Sequence, residues 1–347
     1  MSTALLQQLP VSMRAVGVKA PGGVDQLELI ELPVPSPQPG EVLIQVKAAG
    51  VNRPDVLQRL GLYPPPPDAN PNLGLEVSGV VVAVGAGVSE SMLGSPVMAL
   101  CNGGGYAEYA CAPAGQCMHI PEGLSFTEAA SLPEVYMTVW QNLFMKGGAK
   151  AGQTVLIHGG SSGIGTAAVQ LCKKHGLRTL VTVGSQEKAD FCLGLGAEKA
   201  YLYKTQDWEQ LVLQDTQQQG VDLILDMVAG EYLNKDLGCA KPQGMVIVIA
   251  LLGGRFANID AAKLMTKQVV LTGTTLRPRS AEFKADLARQ VESELREGFS
   301  SGVLKSLVQA TFTLDDVAQA HLLMESGNSL GKIVLCIENQ GRESGQT

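Results

Sequence analysis

The residues best placed to do chemistry are the glycines and hydroxyls of one short run, His158-Gly159-Gly160-Ser161-Ser162-Gly163-Ile164-Gly165. The apolar stretch Thr154-Val155-Leu156-Ile157 leads into it and Thr166-Ala167-Ala168-Val169-Gln170-Leu171-Cys172 follows with helical spacing. A strand, a glycine-rich turn and a helix in that order form a phosphate cradle: backbone N–H groups approach a pyrophosphate, and the helix N-terminus offers partial positive charge. The fingerprint G-x-G-x-x-G is met imperfectly, with Gly160, Ser162 and Gly165 in its three places and Gly163 beside the altered one. About 20 residues on, an enzyme that binds NAD places an acid for the ribose 2′-hydroxyl. This chain has Val183-Gly184-Ser185-Gln186-Glu187-Lys188 there, with space at Gly184, a hydroxyl at Ser185 and a positive charge at Lys188. The missing acid favours NADPH, although Lys188 read alone is an ordinary solvated lysine.

Those residues need a particular frame. From about Ser131 the chain alternates strands and helices, with strands expected at 154–159, 179–184, 200–203, 222–227, 245–251 and 268–273. Six strands linked by crossovers imply a doubly wound parallel sheet, the Rossmann arrangement. Its C-terminal strand ends would bring Leu251, Leu252 and Gly253 (fifth strand) and Thr274 (sixth) to a ligand. The first third instead has short runs such as 13–18, 41–47 and 79–85 between Gly and Pro, a compact β-rich domain. Pro64 to Pro67 form a stiff exposed loop. The tail, with a capped helix near 313–320 and a strand at 331–335, fits poorly as a seventh βα unit and is expected to return to the first domain. The division expected is 1–130 with 301–347, and 131–300.

At 347 residues with net charge −7, the chain can bury a large core and lacks the cationic surface that nucleic acid requires. No run reaches the roughly 18 apolar residues needed to span a bilayer; the longest, Val77 to Val88, is broken by Ser78 and three glycines. Met1 to Arg14 has no signal-peptide pattern, and seven scattered cysteines without a Cys-x-x-Cys pair suit a reducing cytoplasm. His119, His158, His175 and His321 show no metal spacing, and His158 reads as a packed or capping histidine.

The chain resembles the zinc-independent quinone oxidoreductase branch of the medium-chain dehydrogenase/reductase superfamily, with the crystallin-like members more distant. The resemblance runs from about Met13 to Ile337. It is carried by Gly50-Val51-Asn52-Arg53-Pro54-Asp55, Gly61-Leu62-Tyr63-Pro64-Pro65-Pro66, Leu73-Gly74-Leu75-Glu76-Val77-Ser78-Gly79, Val155 to His158, Gly184-Ser185-Gln186, Asp222 to Asp226 and Gly331 to Leu335. It implies a GroES-like β-rich catalytic domain beside the Rossmann domain. It also implies that Asn52 and Tyr63 border substrate and nicotinamide, that Thr138, Asn328 and Lys332 contact the cofactor, and that Tyr203 packs near the adenosine phosphate. The phosphate loop implied is Gly160, Ser161, Ser162, Gly163, Ile164 and Gly165. Glu76 reads as a buried structural carboxylate, with Arg53 as the candidate cation.

The zinc-dependent relatives have Cys in place of Asn52 and Gly-His-Glu in place of Gly74-Leu75-Glu76. Catalytic zinc needs three protein ligands, and Leu75 cannot be one, so no metal is expected. Cys101, Cys111 and Cys117 lack the spacing of those enzymes' structural lobe. Without a Lewis acid, an acceptor whose reduced form is already delocalised is favoured, a quinone first and an activated enone or enoyl thioester as the alternative. A largely non-catalytic NADPH-binding protein is the third possibility. The resemblance also implies a homodimer through the edge strand near Gln268 to Thr272, which needs covering in any case.

Overall fold

The computed structural model describes residues 9–67 and 69–337. The chain forms two compact units: 1–134 with 279–296 and 306–347, and 135–278 with 297–305. The helix Ala281–Ser300 thus has its first 16 residues grouped with the first unit.

In the first unit β1 (Ser12–Val18) and β2 (Leu27–Pro33) form an antiparallel pair. β3 (Glu41–Val51) is the centre of a larger sheet with β4 (Glu76–Val84), β5 (Pro96–Leu100), β6 (Tyr109–Pro113) and β7 (Cys117–His119). Val42, Ile44, Val46, Val77 and Val81 point to one buried core with Ile333 and Leu335, which is what alternation along antiparallel strands produces when one face is covered.

The second unit holds β8 (Thr154–His158), β9 (Arg178–Val183), β10 (Lys199–Leu202), β11 (Val221–Asp226), β12 (Ala240–Val248) and β13 (Val270–Gly273). They pair in parallel in the order β10-β9-β8-β11-β12-β13. Val155, Leu156, Ile157, Ile224 and Leu225 are fully buried, as expected of strands covered on both faces. The order reverses between β8 and β11, and ligands bind beyond the carboxyl ends of the strands at such a switch. β13 starts two residues later than the sequence indicates. Gln268, in a left-handed conformation with φ +53°, ends the helix Ala261–Lys267 and uses up the start of the apolar run.

The last two strands, β14 (Val308–Thr313) and β15 (Lys332–Cys336), belong to the first unit's sheet: β15 pairs antiparallel with β3, Ile333 opposite Val51. The return of the tail brings Lys332 to the end of β3, beside Asn52.

Candidate active site

In the second unit the glycine-rich turn leaves β8 and enters the helix Gly163–Lys174. Ser162 caps that helix by accepting the Gly165 N–H at 3.0 Å, and the Gly160 N–H is donated to the Thr182 carbonyl at 3.1 Å. Two glycines here have no substitute. A Cβ on Gly165 would lie 2.3 Å from the Gly159 carbonyl oxygen, and one on Gly160 would lie 2.6 Å from Val181. The backbone therefore packs onto the strand and leaves a cradle at the N-terminus of a 12-residue helix, a fit for a pyrophosphate. Ser161 is buried, whereas Ser162, Gly163 and Ile164 stay partly exposed at the lip.

At the end of β9, Ser185 caps the helix Gln186–Leu195 by accepting the Lys188 N–H, and Glu187 is exposed. A Cβ on Gly184 would meet the Tyr203 hydroxyl at 2.9 Å and the Lys204 Cε at 3.6 Å, so Gly184, Ser185, Lys188, Tyr203 and Lys204 share one corner. Partial burial and the neighbouring Lys204 charge both lower the Lys188 pKa from its usual value. Two ammonium groups gathered in one corner suit a phosphate better than a ribose hydroxyl. Lys204 was not singled out in the sequence, because only the pairing of β10 with β9 brings it here.

Thr138 and Thr274 are linked by a residue that periodicity does not reveal. Asn142 donates to the Thr138 carbonyl at 2.8 Å and accepts from the Thr274 hydroxyl at 2.6 Å. It lies in a π-helical turn, Trp140–Lys146, of a kind common at functional sites. Leu251, Leu252 and Gly253 are exposed just past β12, with the Gly253 N–H bonded to the Val228 carbonyl at 2.6 Å.

In the first unit Asn52 directly follows β3 and is 6% exposed. Its Nδ2 donates to Glu76 Oε1 at 2.8 Å and its Oδ1 accepts from Lys332 Nζ at 2.6 Å, so both ends of the amide are bonded within the unit. Lys332 Nζ also reaches Glu76 Oε1 at 2.7 Å and the Val51 carbonyl at 3.2 Å. The cation that neutralises Glu76 is therefore Lys332, not Arg53. The sequence could not show this, because the two residues are 256 positions apart and meet only through β15. Glu76 Oε2 accepts the Glu134 N–H at 2.8 Å. A Cβ on Gly50 would lie 2.1 Å from Glu76 Oε1, so glycine is what lets the carboxylate in.

Asp55 supports the same turn, accepting the Asn52 N–H at 2.9 Å, the Gly74 N–H at 3.0 Å and the Tyr106 hydroxyl at 3.1 Å. Burial pushes its pKa up to about 6 against those donors. Leu75 is buried. Tyr63 is partly exposed beside the proline loop, and Asn328 is exposed in the turn before β15.

The two units thus define a dehydrogenase-type architecture, a β-rich domain carrying a polar cluster and a dinucleotide-type α/β domain. Residues 38–122 match the alcohol dehydrogenase GroES-like domain, and residues 163–293 match the zinc-binding dehydrogenase family. Quinone oxidoreductase from Rattus norvegicus is 33% identical over 94% of this chain and 98% of that protein. Among solved structures, the CurK enoyl reductase superposes with TM-score 0.83 at 26% identity over 95% of this chain and all of that one. A mycobacterial protein complexed with NADPH gives TM-score 0.83 at 29% identity over 93% and 99%. The chain belongs to the medium-chain dehydrogenase/reductase superfamily and is an oxidoreductase with quinone oxidoreductase homologues.

Proposed function

We propose that the protein is a zinc-independent, NADPH-dependent reductase of quinones. The observation that carries this reading is the Asn52–Glu76–Lys332 cluster. Where the zinc-dependent relatives place a thiolate and an imidazole, this chain has Asn52 and Leu75, and its one retained carboxylate is taken by an ammonium. A site so built offers no Lewis acid for an alkoxide. It suits an acceptor that delocalises the charge it gains, as a quinone does. Homology to quinone oxidoreductases points the same way.

The cradle at Gly160 to Gly165 would hold the pyrophosphate, and Ser185, Lys188, Tyr203 and Lys204 the adenosine 2′-phosphate. Thr138, Thr274 and the backbone at Leu251, Leu252 and Gly253 would hold the nicotinamide, with Asn328 as a further contact. NADPH, when bound, supplies the hydride. Asn52 is held in one amide orientation by its two partners, and Tyr63 offers a flat face and a hydroxyl to an aromatic acceptor. We assign Lys332 a positioning role through Asn52, since its ammonium is wholly engaged. Proximity of two flat rings then carries most of the rate, and the proton comes from solvent.

The NADPH complex of the mycobacterial homologue supports the choice of cofactor, together with the two lysines at Gly184. The enoyl reductase fold neighbour keeps 2-enoyl thioesters as the competing acceptor. Turnover of 1,4-benzoquinone and naphthoquinones with NADPH, and weaker turnover of a 2-enoyl-CoA, is the expected result. A faster thioester, or tight NADPH binding with no turnover of any acceptor, overturns it.

We also infer a homodimer. β13 is a sheet edge with Val270 46% exposed, and Met265 and Phe256 nearby in sequence are 73% and 83% exposed, an apolar surface that calls for a partner. The seven free cysteines fit a reducing compartment, consistent with the cytoplasm.

A further inference from the structure

Three fully buried side chains meet behind the glycine-rich turn. His158 ends β8, Asp226 ends β11, and Asp236 lies in the helix Tyr232–Cys239; a ligand atom from each falls within 4.8 Å of the others. His158 Nε2 is 2.8 Å from Asp236 Oδ1, and its Nδ1 is 2.9 Å from the Thr182 hydroxyl. The Trp208 and Tyr232 rings pack edge-on against the imidazole, both at 4.9 Å. Asp226 accepts the N–H groups of Val228 at 2.6 Å and Ala229 at 3.0 Å. The spacing would suit a metal ion. Both imidazole nitrogens and the Asp226 carboxylate are already engaged, however, and zinc needs ligands that are not.

What the cluster lacks is a proton. Asp236 Oδ2 has no donor pointed at it, although the Asp226 carboxyl stands within hydrogen-bonding reach of Asp236. Two carboxylates in a dry pocket cannot both ionise cheaply, so a proton on Asp236 would supply the missing bond. Burial pushes the Asp236 pKa up to about 6. Burial opposes the imidazolium of His158, yet the adjacent Asp236 carboxylate holds its pKa above the usual value.

The cluster also anchors three segments of the proposed cradle. Thr182, bonded to His158, carries the carbonyl that receives the Gly160 N–H. Met227, next to Asp226, presses its sulfur into the space a Cβ on Gly159 would take, 2.7 Å away. Asp226 holds Ala229 in a left-handed conformation, φ +57°, that alanine does not favour. The same loop receives the N–H groups of Leu252 (3.2 Å) and Gly253 (2.6 Å) on the carbonyls of Met227 and Val228.

We propose that His158, Asp226 and Asp236 form a proton-sharing relay that positions the dinucleotide cradle, so that cofactor affinity follows the protonation of the cluster. This rests on the reading of the glycine-rich turn as the NADPH site. With its proton, Asp236 donates to Asp226 while still accepting from His158, and Asp226 keeps the Val228 and Ala229 N–H groups. Because the folded pKa of Asp236 lies above its ordinary 3.8, the stability it brings is present at low pH and lost as pH rises through about 6. Tyr232, Tyr203, Cys239 and, across the Trp208 ring, Lys235 also face this region. Burial pushes Tyr232 up to about 12 and Cys239 above its usual range, so both keep their protons below pH 8.

The test is calorimetric binding of NADP+ to the full chain at pH 5.5 and pH 8.0, wild type against Asp236→Asn, with thermal melting of both proteins alone. Asparagine reproduces the protonated acid, a donor to Asp226 and an acceptor from His158. Wild-type affinity should fall about tenfold between the two pH values and that of the variant less than about threefold. Titration of the ligand's own phosphate is common to both proteins and cancels. The variant should also melt above wild type at pH 8.0 and level with it at pH 5.5. Equal pH slopes in binding and melting overturn the relay and leave the NADPH reading intact. Absence of NADP+ binding to wild type overturns that reading, and melting then decides the proton sharing alone. Should the variant not fold, infrared spectra of wild type decide: a protonated-carboxyl band that fades as pH rises through 6 is expected, and its absence at pH 5.5 refutes the relay.

Discussion

Lys332→Met leaves Glu76 wholly buried without its cation, which makes it a quantitative probe of the first unit's cluster. The ammonium lies 2.7 Å from Glu76 Oε1. With an effective dielectric constant near 20, the attraction at that distance is about 6 kcal/mol, and desolvation of both ions offsets part of it. Removing one partner of a buried pair typically costs about 3–5 kcal/mol. Glu76 keeps the Asn52 and Glu134 N–H donors, so the lower end, about 3 kcal/mol, is expected here. Adding Glu76→Gln removes the orphaned charge and should recover at least half of the loss. Both tryptophans, Trp140 and Trp208, lie in the second unit, so fluorescence is blind to the change. Amide exchange in β3, β4 and β15 reads it instead. A single variant within about 1 kcal/mol of wild type, or a double variant no better than the single, would refute the ion-pair argument.

Other expectations follow from the same geometry. Gly165→Ala drives a Cβ into the Gly159 carbonyl oxygen, so calorimetry should show NADPH affinity reduced by about 100-fold or more, and an unchanged affinity would remove the cradle from that turn. Lys204→Ala should weaken NADPH about tenfold and leave NADH nearly unchanged, as losing one charge-assisted phosphate contact would. Equal losses for both would deny the 2′-phosphate role. Val270→Glu puts charge on the exposed edge of β13, and light scattering should show the dimer dissociating; a wild-type protein of monomeric mass contradicts the inferred dimer itself.

Much of the frame was legible in the residues. The apolar runs at 155–157 and 223–225 and the turn at 158–165 announce a doubly wound sheet, because strands buried on both faces tolerate little polar alternation. The tail's return to the first domain followed from its failure to make another βα unit, and β15 pairs with β3. The charge logic of the sites was not legible. The partner of Glu76 lies near the C-terminus, and the charge beside Lys188 arrives on the next strand. Asn142 sits in a π-turn that leaves no periodic trace, and Asp226 and Asp236 look like ordinary polar residues until the fold buries them against His158. Each is a pairing of elements distant in sequence, which local pattern does not encode.

The most direct test of the central claim is a steady-state acceptor panel, 1,4-benzoquinone, a naphthoquinone and a 2-enoyl-CoA, each with NADPH and with NADH in metal-chelated buffer. Quinones should be reduced fastest, with NADPH preferred and with no loss on chelation. Preference for the thioester or for NADH, or activity that chelation abolishes, would contradict it.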